Sequence, residues 1–358
     1  MSVLVAGART RFTLPDELSA PVPAEARGLR RDHVRLLVAT PDGVYHERFS
    51  ELPRYLRPGD VLVVNDSGTV AAAVDGEWRG GQPVTVHFAG PAPAGDSTVE
   101  LRRVDQSGPV RDARPGERVR LPAGAVLRLL APVDGHGRLW RARLRDPEEV
   151  PAYLFDHGRP ISYAYLRGRW PLDLYQTVFA RVPGSAEMPS AGRPFTTELV
   201  TALAVAGIRV TAITLHTGVS SAEAGEAPQP ERYAVPAHTA ELVNLARERG
   251  RRVVAVGTTV ARALETVAAP DGRVTPGAGW TDLVLGPDRP VRAVDGLVTG
   301  FHAPEASHLL LLEAVAGAEL VQRAYDAAVR ERYLWHEFGD SCLLLPDQPG
   351  EPAARARR

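Results

Sequence analysis

The chain has 358 residues, 44% of them apolar and 24% charged, with a formal net charge of −1. That length accommodates two domains with full cores, and that composition excludes wholesale disorder. All 42 basic residues are arginine, which excludes a Schiff base, a pyridoxal anchor or a P-loop lysine, and the single cysteine, Cys342, excludes an intramolecular disulfide or a thiolate-rich metal site.

In chain order, a Pro-Gly turn in "YLRPGDVLVVNDSG" delivers an apolar strand over 61–64. From about 76 to 146, short alternating runs such as "VTVHF", "ERVRL" and "RLWRARL" are separated by Gly/Pro/Asp turns, the texture of a small β-barrel or sandwich. The stretch over 175–196, "YQTVFARVPGSAEMPSAGRPFT", is too rich in proline and glycine for a helix or a central strand. Thr196 then caps a helix to about 206, with Glu198 in its first turn and Gly207 at its end. Strands over 208–216 and 251–257 alternate with helices over 238–250 and 258–267. Strands follow over 281–285 and 294–301, then one long and largely buried helix over 305–332.

This alternation predicts an α/β fold with a mainly parallel sheet, the β-rich block being an insertion or a second domain. The expected division is 1–70 with 150–345 for the α/β domain, 71–149 for the inserted block, and 346–358 for a disordered tail. No signal-like or membrane-spanning apolar run is seen, which predicts a cytoplasmic protein. Arg27, Arg30, Arg31 and Arg35 form the densest basic cluster outside the tail and read as solvated arginines or a small nucleic-acid patch.

In open α/β sheets, ligands gather at the carboxyl ends of strands and at helix N-termini. Polar groups fall at four such ends: Asn65-Asp66-Ser67, His216-Thr217-Gly218, Gly257-Thr258-Thr259 and Phe301-His302. Each alone reads as a turn former; together they specify a pocket with donors and a titratable imidazole. "VLVAGAR" lacks the third glycine of a dinucleotide fingerprint, there is no GxSxG, and no His/Asp/Glu grouping has metal spacing, so no metal is expected.

"YLRPGDVLVVND", "YQTVFA", the Pro189-Ser190-Ala191-Gly192 loop, "TLHTG", "VVAVGTTVARALE", "GWTDLVL", "VDGLVTGFHAP" and "FGD" resemble, in order, the S-adenosylmethionine:tRNA ribosyltransferase-isomerases of the queuosine pathway. The resemblance spans residues 12–345 and implies an α/β domain carrying an inserted β-barrel. It implies S-adenosylmethionine as a ribosyl donor. A base removes a proton beside the sulfonium, adenine leaves, an amine on a modified tRNA guanine captures the sugar, and methionine is expelled. Residue by residue, it suggests His302 as general acid/base, with Asp295 or Asp282 orienting it or binding ribose hydroxyls. Thr258, Thr259 and Arg262 are candidates for the methionyl carboxylate, and Trp280 for packing on adenine or the sulfonium, although a core tryptophan is the plainer reading. Asp66, His216, Tyr175, Gln176 and Glu231 complete the candidate set.

This chain departs from the family pattern at polar positions. "NDSGTVAAAV" lacks the arginines that follow the Asn-Asp pair in the family, Arg193-Pro194 replaces Leu-His, Gln229 replaces a histidine, and Gly300 replaces an asparagine. With the near-neutral charge, these departures point to a small-molecule amine acceptor or sulfonium elimination as the alternative to tRNA. A non-catalytic paralogue that binds a nucleoside or RNA is the third reading.

Overall fold

The computed structural model describes residues 7–133, 137–145, 149–219, 229–286, 289–304 and 306–346. The tail expected over 346–358 therefore lies outside the described residues but for Pro346. The chain forms two compact units, one of Met1–Asn65, Ser190–Thr214 and Ser221–Arg358, the other of Asp66–Pro189 and Leu215–Ser220.

Strands β1 (Arg35–Thr40), β2 (Gly43–Arg48) and β3 (Val61–Asn65) open the first unit, and β4 (Ser67–Thr69) opens the second. The second unit continues through β5 (Ala73–Trp78), β6 (Gln82–Pro91), β7 (Ser97–Arg102), β8 (Arg118–Arg120), β9 (Val126–Pro132) and β10 (Leu139–Arg145). These six close into a barrel in the order β10-β7-β6-β5-β8-β9. Alternation sets the two faces: Val86, Val99, Leu101, Leu127, Trp140 and Ala142 fill the interior while their neighbours point outward. The unit reaches well past residue 149 because helix α1 (Val150–His157) plugs the barrel core with Tyr153 and Leu154. Arg159 then bridges back to Ala73. Within the Pro/Gly-rich stretch lies a four-residue strand, β11 (Val182–Ser185), parallel to β4 in a two-stranded sheet with a bulge between Pro183 and Ser185. Outside any large sheet, proline's missing donor is tolerated.

The first unit resumes with α2 (Thr197–Val205), β12 (Arg209–Leu215), β13 (Glu231–Val235), α3 (Ala237–Glu248), β14 (Val253–Val256), α4 (Thr258–Thr266), β15 (Gly277–Thr281), β16 (Gly296–Gly300), α5 (His308–Ala316), α6 (Ala318–Arg330) and β17 (Ser341–Leu344). Its sheet runs β15-β13-β12-β3-β14-β16-β17-β1-β2. β3 and β14 are buried at every residue, as central parallel strands covered on both faces must be. The run β12-β3-β14-β16 is parallel, as expected. Towards the edges the sheet turns antiparallel at β16–β17, β1–β2 and β13–β15. The β1–β2 pair is joined by two residues, too few for a parallel crossover. Thr196 caps α2 by accepting the Leu199 N–H at 3.1 Å, and Gly207 takes a left-handed φ of 79° behind it.

Two expectations fail for local reasons. The strand placed over 281–285 stops at Thr281, whose Oγ1 accepts the Leu283 N–H at 3.2 Å and meets Thr266 Oγ1 at 2.6 Å, turning the chain out of the sheet. The single long helix is two, broken at Gly317 with φ 78° and ψ 144°, a conformation no helix contains and that glycine adopts without a Cβ clash. The break separates an α5 that buries Leu309 through Leu312 from an amphipathic α6 that buries one stripe.

Candidate active site

β3, β14 and β16 are adjacent and parallel, so their carboxyl ends share one edge of the sheet. Asn65 closes β3, Gly257-Thr258-Thr259 leads from β14 into α4, and Thr299 and His302 lie at the end of β16. The Asn65 side chain donates to Thr259 Oγ1 at 3.3 Å, tying two of these ends together. Gly257 has φ 96° and ψ 153°, a region open essentially to glycine alone. A Cβ there would sit 3.4 Å from the Cβ of Ala191, so the Ser190–Gly192 turn lies against the start of α4. Among the described residues, the backbone N–H groups of Thr258 and Thr259 have no hydrogen-bond acceptor. With the helix dipole behind them, they suit a carboxylate.

His302 is held on three sides. Its Nε2 lies 3.0 Å from Thr299 Oγ1, its backbone N–H donates to Tyr325 Oη at 3.1 Å, and its carbonyl accepts from Trp335 Nε1 at 3.0 Å. Phe301 beside it packs on Tyr325, Tyr333 and Trp335, which fixes the backbone that carries the imidazole. The ring stacks on His308 with centroids 4.6 Å apart and planes 7° from parallel. Burial drives the His302 pKa well below 6.5, and the neighbouring His308 and His336 reinforce the shift. Burial, with the Arg262 charge behind it, lowers His308 to about 4. His302 is therefore a neutral imidazole at physiological pH. Sequence reasoning named His302 but missed Thr299 and His308; their signal was three polar side chains within ten residues around a strand end.

Asp295 does not assist His302. It precedes Gly296, at the amino end of β16, and a five-residue strand puts roughly 16 Å between the two ends. Its carboxylate accepts the Val253 N–H at 2.8 Å and faces Arg247 at 3.8 Å. Arg262 is likewise committed inside the protein. It ion-pairs with Glu231 and donates to the carbonyls of Leu283, at 3.1 Å, and Thr281, at 3.3 Å, which pins α4 to β13 and the end of β15. Asp282 is exposed just beyond that end. Trp280, read more plainly as core, is 55% exposed on β15, opposite Arg232 of β13. Replacing Arg262 by methionine removes its buried ion pair with Glu231 and its two carbonyl hydrogen bonds, and a loss of about 3 kcal/mol of stability is expected by urea denaturation. Unchanged stability would instead show that the guanidinium is not what ties α4 to β13.

The remaining candidates belong to the second unit and knit its small sheet. Asp66 ion-pairs with Arg181 at 2.8 Å. Gln176 grips the Thr69 backbone through both amide atoms, at 3.0 and 2.8 Å, and the Tyr175 carbonyl accepts Thr69 Oγ1 at 2.7 Å. His216 Nδ1 meets Ser67 Oγ at 2.8 Å, and its ring lies so close to Gly184 that a Cβ there would be 2.5 Å from Nδ1. Arg27, Arg30, Arg31 and Arg35 also have internal partners: the Phe338 carbonyl, Asp32, Glu25 and the Glu331 carbonyl. Among the described residues no group of three or more His, Cys, Asp or Glu could hold a metal ion, and no helix is long and apolar enough to cross a membrane.

Residues 8–344 match a family model described as "Queuosine biosynthesis protein". The chain is 37% identical to an S-adenosylmethionine:tRNA ribosyltransferase-isomerase of Symbiobacterium thermophilum, with 93% of this chain and 98% of the relative covered. The chain belongs to the S-adenosylmethionine:tRNA ribosyltransferase-isomerase family. Another member, from Rubrobacter xylanophilus, is 39% identical over 93% of this chain and 96% of its own length. Among solved structures, that of the S-adenosylmethionine tRNA ribosyltransferase of Thermotoga maritima matches with a TM-score of 0.52 at 29% identity, covering 93% of this chain and 99% of that one. Membership gives the departures from the family pattern a structural reading. Arg193 is 3% exposed, ion-paired with Glu25 at 2.7 Å and set 4.8 Å over the Phe338 ring, so it serves the fold rather than a substrate. Gly300 faces open space, since a Cβ there would meet no atom within 4 Å.

Proposed function

We propose that this protein transfers and isomerises the ribosyl group of S-adenosylmethionine onto an amine of a modified tRNA guanine, releasing adenine and methionine. The observation that carries the proposal is the shared edge of β3, β14 and β16, which holds both the start of α4, whose first N–H groups have no acceptor among the described residues, and the neutral imidazole of His302. The Thr258 and Thr259 N–H groups would hold the methionyl carboxylate. That leaves the sulfonium end for His302. With Nε2–H donated to Thr299 Oγ1, Nδ1 carries the lone pair that takes the proton from the carbon beside the sulfonium. The positive sulfur acidifies that C–H bond, which a weakly basic, desolvated imidazole requires. Electrons from the broken C–H bond open the ribose ring and adenine departs; attack by the acceptor amine and ring closure then expel methionine.

Relatives named for tRNA support the macromolecular acceptor, and nothing among them supports a small-molecule one. The test is to incubate the protein with S-adenosylmethionine, with and without tRNA carrying the 7-aminomethyl-7-deazaguanine base. Adenine and methionine released only with that tRNA are expected. Adenine release that ignores tRNA would reject the acceptor, and no release under either condition would reject the activity.

A further inference from the structure

The barrel wall built from β8, β9 and β10 carries a row of arginines that the chemistry above does not use. Arg118 stands directly opposite Arg128, and Arg128 opposite Arg143, so three guanidinium groups line up across adjacent strands. Arg120, Arg141 and Arg145 extend the same outward face, because the alternate residues Val119, Leu127, Leu129, Trp140 and Ala142 fill the barrel interior. All six are exposed. With strands about 4.8 Å apart, the row crosses roughly 10 Å of surface. Two carboxylates are shared among three of the six. Asp96 serves both Arg141, at 3.5 Å, and Arg143, at 2.6 Å, while Glu77 serves Arg120 at 2.6 Å. Arg118 and Arg128 make no ion pair among the described residues. Like charges set directly opposite across antiparallel strands destabilise the pair. In a chain of net charge −1, such a row is not a by-product of a basic composition.

We propose that this wall is a docking surface for the phosphodiester backbone of tRNA. The inference rests on tRNA being the acceptor, as argued above, and adds where the protein holds it. Planar, permanently charged guanidinium groups bind phosphate oxygens bidentately, and a cross-strand row offers several at fixed spacing. A surface of arginines without an exposed aromatic among them positions a backbone rather than reads bases. It is also unlike the charge-depleted centre of a protein–protein interface.

The test uses the full-length chain carrying Arg118→Ser, Arg128→Ser and Arg143→Ser together, with bulk bacterial tRNA as probe, over salt from about 50 to 200 mM. Binding is expected to weaken by about tenfold or more, and the slope of log K against log salt to flatten by about 2–3, as three phosphate contacts are lost. Far-UV circular dichroism and the thermal shift given by S-adenosylmethionine should match the parent. Equal affinity and equal slope in parent and variant would overturn the docking surface while leaving the acceptor intact. A parent that binds no tRNA would overturn both. Parent binding to phosphatidylserine vesicles as tight as to tRNA, and lost in the variant, would overturn RNA as the partner. Should the triple variant not fold, Arg128→Glu alone is expected to weaken tRNA binding, and an unchanged affinity would overturn the proposal.

Discussion

Replacing His302 by alanine is expected to slow adenine release from S-adenosylmethionine by about 10²–10⁴-fold, the usual contribution of a positioned general base. The fold should survive, because what anchors this segment is the Phe301 ring among Tyr325, Tyr333 and Trp335, together with two hydrogen bonds to the His302 backbone. Alanine keeps both backbone groups. S-adenosylmethionine binding should therefore change little while turnover collapses. The pH profile sharpens the assignment. Burial lowers the His302 pKa well below 6.5, so the acid limb of kcat/KM in the parent should fall below pH 6.5 rather than at the ordinary imidazole value. Thr299→Val should leave the ring in place but free its Nε2, reducing kcat more than it alters KM. Full turnover in the alanine variant would remove His302 from the mechanism.

Acid lability is the second large effect. His302, His308 and His336 all have pKa values lowered by burial, the last two to about 4, against an ordinary 6.5. A group whose charged form is disfavoured in the native state takes up protons first in the unfolded chain. Stability is then complete above pH 6.5, is lost as pH falls through 6.5, and continues to be lost down to about 4. Each fully shifted histidine removes about 1.4 kcal/mol per pH unit in that window. Glu265, Asp295 and Asp340, raised by burial, work in the opposite direction as they protonate, so the parent's total is a difference. The histidine share is isolated by substitution. Between pH 7.5 and 5.0, His308→Gln is expected to lose about 2 kcal/mol less than the parent in urea denaturation. An identical loss in both proteins would show that His308 ionises as freely in the native state as in the unfolded one.

Much of the fold was legible along the chain. The apolar runs of β3 and β14, the Thr196 cap with Gly207 behind α2, and the even spacing of turns through the barrel are local signals, and local physics made the elements they predicted. The errors came where a single residue overrode a periodic pattern: Gly317 broke an apolar run that reads as one helix, and Thr281 turned the chain by bonding its own neighbours. Tertiary register decided the rest. Asp295 and His302 are seven residues apart in sequence, yet a strand carries them to opposite edges of the sheet. Arg262 follows Thr258 and Thr259 by about one helical turn, yet its side chain reaches Glu231 of another strand, which no spacing predicts. Arg118, Arg128 and Arg143 are scattered in sequence and fall into one row only because antiparallel pairing aligns them. By itself the sequence determined the elements, the family and the residue types available for chemistry, because helix periodicity, strand alternation and turn preferences act over a few neighbouring residues. Which of those side chains meet, which are neutralised by a partner and which keep a lone pair or a free N–H was decided only by strand order and register, since those bring together groups that the chain itself keeps apart.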